Sequence, residues 1–198
     1  MTDPEDFEQI VLLIDGSHVD RLRSKLGRAL DLIRLREFFE GDGKTVSVIY
    51  YRDARDMDEY NRLTRFFDWL ERHDIERRGA QDFSESWYQR ERYGTNLAEL
   101  AADAVIAAHK GAELVFVAGD AKLLPLFRRL EKMDVPVALI STRAIPKSIA
   151  PPPPLIDLAE DFIDINGDAR FFIAFRGMQS LMRVKGMWSC FATIMQSA

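Results

Sequence analysis

Two aspartates each close a short apolar run, and this placement suits metal-ion chemistry. Asp15 ends the run 9–15, and Asp120 ends the run 113–120. Both runs are rich in Val, Ile and Leu and are apolar on consecutive residues, which is typical of strands buried on both faces of a parallel sheet. Ligands of such sheets bind at the carboxyl ends of the strands, where the strand order reverses, so both carboxylates can face one site.

A predicted helix, residues 96–110, carries further acids on an otherwise apolar sequence. Asn96, Glu99 and Asp103 are spaced three and four residues apart and therefore share one stripe. Asn96 and Glu99 fit a capping box at the helix start, which is an ordinary structural role. Asp103 lacks such an explanation, because a carboxylate beside another carboxylate is unfavourable, and more so when it is desolvated. A cation between Glu99, Asp103 and the strand-end aspartates would remove that penalty.

The strand-end acids also have simpler interpretations. Asp15 begins an Asp-Gly pair, which is common turn chemistry, and Asp120 precedes a predicted helix as an N-cap would. The convergence of two strand-end acids with one helix acid favours an oxygen-ligated Mg²⁺ or Mn²⁺ site instead. Cys190 is the single cysteine and the three histidines are scattered, which excludes a thiolate zinc cluster and argues against a histidine site.

The elements that position these acids alternate strand and helix. A chain of 198 residues that is 47% hydrophobic and 30% charged fits one globular domain. The alternation predicts an α/β fold with a central, mostly parallel sheet of five to six strands and helices on both faces. The predicted strands are 9–15, 44–51, 74–79, 113–120 and 135–141, and the predicted helices are 32–40, 57–73, 96–110 and 123–133. Four prolines, 151–154, predict an extended segment.

The charge distribution bears on the partners of the chain. The net charge is −5 and no acid follows Asp168, so the chain is not a generally basic nucleic-acid binder. A local patch offers phosphate contacts and stacking faces, although a solvated loop is the favoured interpretation of this segment. The patch consists of Arg77, Arg78, Arg90, Arg92, Trp87, Tyr88 and Tyr93.

The two ends of the sequence carry weaker signals. The amino terminus is acidic and has no apolar stretch, so we predict no secretory signal and a cytoplasmic location. We expect a domain over 1–165 and a helical extension over 166–198, whose apolar runs are too short to span a bilayer. The Met-rich extension is expected to pack on the domain or on a second copy in a homo-oligomer. A basic contact with membrane or RNA is the alternative.

Three stretches resemble the acidic motifs of the PIN-like nucleases, most closely the NYN branch with its LabA-like members. They are Ile14-Asp15-Gly16-Ser17, Asp103-Ala104-Val105-Ile106-Ala107-Ala108, and Val117-Ala118-Gly119-Asp120 followed by Leu124-Pro125-Leu126. The resemblance covers about 9–165 and implies a PIN-like, Rossmann-like sheet that hydrolyses RNA. It also implies Mg²⁺ or Mn²⁺ held by Asp15, Asp103 and Asp120, with Glu99 orienting or deprotonating the attacking water. The candidate substrate contacts are Ser17, His18, Asn96, Lys122, Arg90 and Arg92.

The chain departs from that family pattern at three places. His18 stands where the family usually has asparagine, and Lys122 stands where it usually has a second aspartate. Residues 92–96 lack the family's lysine and aspartate. These departures keep open a catalytically degenerate domain that binds RNA or protein. Residues 15–19 also partly resemble the metal motif of von Willebrand A-type domains, but Val19 lacks the final hydroxyl.

Overall fold

Strands and helices alternate along the chain, as the sequence predicts. The computed structural model describes residues 9–41, 43–54, 56–79 and 97–173. The strands are β1 Gln9–Asp15, β2 Thr45–Tyr51, β3 Ile75–Arg78, β4 Glu113–Val117, β5 Val137–Ser141 and β6 Asp161–Asp164. The helices are α1 Gly16–Leu26, α2 Leu32–Glu40, α3 Met57–Arg72, α4 Leu97–His109, α5 Leu124–Glu131 and α6 Pro153–Asp157.

The six strands form one sheet in the order β3-β2-β1-β4-β5-β6, and every neighbouring pair is parallel. The chain builds outward from β1 to β3 and then returns to build from β4 to β6. The strand order therefore reverses between β1 and β4, which is where open α/β sheets bind ligands. Asp15 is the last residue of β1, and Asp120 lies three residues beyond the end of β4.

Helices cover both faces of the sheet because successive side chains of a strand point to opposite sides. Ile10, Leu12 and Ile14 pack in one buried cluster with residues of α1, α2 and α3. Val11 and Leu13 pack in the other cluster with residues of α4 and α5. Burial on both faces explains why β1 is apolar on consecutive residues, and it confirms the predicted α/β fold.

One predicted element requires correction. The four prolines do not form an extended segment throughout, because α6 begins at Pro153. Proline is well tolerated in the first turn of a helix, where its missing N–H has no intrahelical partner. The helix α1 has no counterpart among the predicted elements.

The described start of the predicted C-terminal extension belongs to the core of the domain. Phe171 and Phe172 are buried, and Phe172 forms a β-bridge with Leu30. The rest of the extension, 174–198, lies outside the described residues, and so does the predicted homo-oligomer contact. Within the described ranges no helix has the length and apolar character needed to cross a membrane.

Candidate active site

Asp15 is fixed at the carboxyl end of β1 by the first turn of α1. Its side chain is buried, and Oδ1 accepts hydrogen bonds from the backbone N–H groups of Ser17 at 2.9 Å and His18 at 3.1 Å. Arg21 Nη2 lies 3.7 Å from Oδ2. Asp15 is thus the N-cap of α1, so the Asp-Gly pair begins a helix here rather than the turn of its simpler interpretation. Capping places the carboxylate at the edge where the strand order reverses.

Asp120 occupies the corresponding position after β4. Ile14 of β1 pairs with Val117 of β4, so Asp15 and Asp120 follow neighbouring strands. Asp120 Oδ1 accepts a hydrogen bond of 2.9 Å from the backbone N–H of Lys122 and caps the 3₁₀ turn Ala121–Leu123. An ionised carboxylate has about four acceptor positions, so capping leaves capacity for another ligand.

Asp103 projects from α4 toward the other half of the sheet. Its Oδ2 accepts a hydrogen bond of 2.9 Å from the hydroxyl of Tyr51, the last residue of β2. Arg78 Nε, at the end of β3, lies 3.7 Å from the same oxygen. The penalty expected for this acid is therefore relieved by a phenol and a guanidinium of the protein rather than by a cation shared with Asp15 and Asp120.

Glu99 lies one helical turn before Asp103, and both are half-buried. Burial raises the pKa of the Glu99 carboxyl, and the negative charges of Asp103 and Asp53 add to the effect against the opposing charge of Arg78. Asp53 is itself buried just beyond β2. A raised pKa is the direction of shift that general acid–base catalysis by a carboxyl group uses.

The predicted substrate contacts are not all placed at the surface. His18 is fully buried and Ser17 is 6% exposed, whereas Lys122 is exposed. His18 therefore offers no substrate contact in this arrangement. Burial lowers its pKa to about 3, with a smaller contribution from Arg21, so the ring is neutral. Asn96, Arg90, Arg92 and the aromatic residues of their patch lie outside the described residues.

Arg52, just beyond β2, is a site-bordering residue that the sequence did not single out. Its Nη1 donates to Ser17 Oγ at 3.2 Å, and its Nη2 lies 3.2 Å from both Asp20 Oδ2 and Glu59 Oε1. Arg52 thereby ties the start of α1 to α3. Tyr51 was also missed, although its place at the end of a predicted strand beside β1 is a signal that sequence analysis can use.

The side chains fit a cation only in part. Within the described ranges no three or more His, Cys, Asp or Glu side chains are grouped closely enough to hold a metal ion. The predicted set of Asp15, Asp103 and Asp120 is thus not assembled as a cage, because Asp103 is directed to Tyr51 and Arg78. Asp15 and Asp120 remain, and Mg²⁺ is commonly bound by one or two carboxylates, several waters and substrate phosphates. Asp15 and Asp120 match that smaller donor set in residue type.

The fold and the site together define a doubly wound α/β protein with carboxylates at the switch point of a parallel sheet. The NYN domain model matches residues 9–166, which covers every strand of the sheet. The chain belongs to the NYN domain family of the PIN-like nuclease superfamily. The resemblance inferred from the motifs is thereby confirmed.

A solved structure supports the same fold. The chain is similar to a protein of unknown function from Vibrio parahaemolyticus, with a TM-score of 0.64 and 18% sequence identity. The match covers 87% of this chain and 100% of that protein. Comparison with curated protein sequences finds no match.

Proposed function

We propose that this NYN domain is a metal-dependent ribonuclease that hydrolyses RNA phosphodiester bonds at the carboxyl edge of its sheet. The observation that supports the proposal most directly is the position of Asp15 and Asp120 on either side of the point where the strand order reverses. Family membership supports the reaction class, because NYN domains belong to a nuclease superfamily.

Different residues of the chain would hold the metal ion, accept a proton and contact the phosphate in such a reaction. Asp15 and Asp120 would hold Mg²⁺ or Mn²⁺, which when bound polarises a phosphoryl oxygen and lowers the pKa of a water. The backbone N–H groups of Ser17 and His18 fix the Asp15 carboxylate, so it needs little reorganisation. Glu99 is the candidate proton acceptor, and the exposed Lys122 is a candidate contact for phosphate.

A second function is favoured by one specific observation. Two acids of the predicted metal set already lie near arginines, Asp15 near Arg21 and Asp103 near Arg78. Lys122 adds a cation where the family usually has an aspartate. Such a crevice also suits a domain that has lost catalysis and binds RNA or protein, and this is the alternative to the nuclease.

Metal binding distinguishes the two functions without requiring knowledge of the natural substrate. We would titrate Mn²⁺ into the wild-type protein and the Asp15→Asn/Asp120→Asn variant and follow water proton relaxation. Asparagine retains an oxygen that can accept the capping hydrogen bonds, so the variant is expected to fold. Asp58→Asn/Asp68→Asn is a matched control, because both residues are exposed on α3.

The expected result is that the wild type and the control bind Mn²⁺ and the strand-end variant does not. Loss of Mn²⁺ binding in the folded variant would support a metal site at Asp15 and Asp120. Equal binding by all three proteins, or none by the wild type, would contradict the ribonuclease proposal and favour the non-catalytic function.

A further inference from the structure

The three predicted acids lie over different strands of the sheet. Arg78 pairs with Tyr51 across β3 and β2, Tyr51 pairs with Asp15 across β2 and β1, and Ile14 pairs with Val117 across β1 and β4. Neighbouring strands are about 4.8 Å apart, so β3 lies roughly 14 Å from β4. Contacts with Tyr51 and Arg78 thus draw Asp103 toward β2 and β3, whereas Asp120 follows β4.

The contact between Tyr51 and Asp103 is firmly held. The Tyr51 ring is 1% exposed and packs in the same buried cluster as Leu100 and Ala104 of α4. Its hydroxyl therefore has little freedom to turn away from Asp103 Oδ2, 2.9 Å away. A hydrogen bond to a charged carboxylate is among the stronger ones in proteins, and Arg78 adds a positive charge beside it. A metal ion that bound this oxygen would have to share it with the Tyr51 hydroxyl and lie beside the positive charge of Arg78.

We propose that Tyr51 removes Asp103 from the cation-binding set and that the two form a positioning pair. The pair fastens the face of α4 that carries Glu99 to the end of β2, because Glu99 and Asp103 are four residues apart on one face of the helix. The site is then divided into a cation half, Asp15 and Asp120, and a proton-transfer half that contains Glu99. This inference rests on the proposed ribonuclease function and assigns Asp103 a different role from the one the family resemblance implies.

The first test is Mn²⁺ binding, measured by water proton relaxation on the full chain. Asp103→Asn is expected to leave the Mn²⁺ dissociation constant within about twofold of wild type, whereas Asp15→Asn raises it by about tenfold or more. Asparagine keeps a carbonyl oxygen for the Tyr51 hydroxyl, so Asp103→Asn is expected to fold. An Asp103→Asn variant that loses as much Mn²⁺ affinity as Asp15→Asn would overturn the division while leaving the ribonuclease proposal intact. A wild-type protein that binds no Mn²⁺ would overturn both.

The second test is a double-mutant cycle on RNA cleavage. Tyr51→Phe keeps the ring and removes only the hydroxyl, and Tyr60→Phe on α3 is the matched control. A positioning pair predicts that Tyr51→Phe lowers kcat by about tenfold with KM unchanged, and that adding Asp103→Ala, which removes the acceptor oxygen, costs little more. Additive losses from the two substitutions, or wild-type kcat in Tyr51→Phe, would contradict the pair.

Discussion

His18 Nε2 lies 2.9 Å from Ser141 Oγ, and this buried hydrogen bond joins the first turn of α1 to the last residue of β5. The ring is 0% exposed, and its Nδ1 has no hydrogen-bond partner in the part of the chain that the structure describes. A neutral ring satisfies this environment best with its proton on Nε2, because a buried N–H without an acceptor would be costly. His18 thus links the start of α1 to the end of β5, in the position where the family usually has asparagine.

The burial of His18 predicts a pH-dependent stability. Its pKa is about 3 in the folded protein against an ordinary value of 6.5, so between those pH values the unfolded chain binds a proton that the folded chain excludes. Protonation of His18 in the unfolded chain therefore lowers the free energy of unfolding as the pH falls below 6.5, by up to about 1.4 kcal/mol per pH unit. Above pH 6.5 the ring is neutral in both states and this loss of stability is absent. Urea unfolding from pH 7 to pH 5, with chelator present, measures it.

His18→Gln is expected to abolish that slope, whereas the control His109→Gln, exposed on α4, keeps it. Identical pH profiles for His18→Gln and wild type would contradict the burial of a neutral ring. The carboxyl groups are the same in all three proteins, so their effect on the free energy of unfolding cancels in the comparison.

Gly119 is expected to tolerate no side chain. A Cβ at this position would overlap His18 Cε1 and lie 2.9 Å from the carbonyl oxygen of Ile149. Gly119→Ala should therefore lower the free energy of unfolding by about 1–3 kcal/mol through overpacking. Gly167→Ala is the control, because a Cβ there meets nothing within 4 Å, and it should change stability by less than about 0.5 kcal/mol. Equal melting temperatures for the two variants would show that the space beside His18 is not tight.

Substitution of Lys122 tests whether the Mn²⁺ affinity of the site can be increased. It is exposed beside Asp120, and its backbone N–H already donates to that carboxylate. Lys122→Asp restores the second aspartate that the family usually carries, so we expect a Mn²⁺ dissociation constant lowered by about tenfold, equivalent to about 1.4 kcal/mol. Lys122→Gln separates this gain from simple loss of a positive charge. Equal affinities for Lys122→Asp and Lys122→Gln would mean that the new carboxylate does not reach the ion.

Much of the fold follows from local patterns in the sequence. Burial on both faces makes β1 and β4 apolar on consecutive residues, and amphipathic spacing marks α3 as a covering helix. The helix α1 cannot be predicted from such a pattern. Gly16, Ser17 and His18 are buried there, and Leu22 is its one buried apolar residue. Its burial comes from tertiary contacts of small and polar side chains, which leave no apolar period.

The site was predictable where it depends on strand ends and not where it depends on distant contacts. Asp15 and Asp120 are found from the ends of two apolar runs, since parallel strands share a carboxyl edge. The bond from Tyr51 to Asp103 joins residues 52 positions apart, and its existence depends on the position of α4 over β2. No periodicity in the sequence sets that position, and the three predicted acids are not grouped as a metal-binding set among the described residues.

RNA cleavage is the decisive test of ribonuclease activity at Asp15 and Asp120. We would incubate a random-sequence RNA pool, which removes dependence on a chosen substrate, with wild type and Asp15→Asn/Asp120→Asn in Mg²⁺, in Mn²⁺ and in chelator. A metal-dependent ribonuclease predicts cleavage by the wild type with metal only, and none by the variant, whose folding is checked by circular dichroism. Cleavage that persists in the variant or in chelator, or an intact pool with the wild type and metal, would contradict a metal-dependent ribonuclease at Asp15 and Asp120.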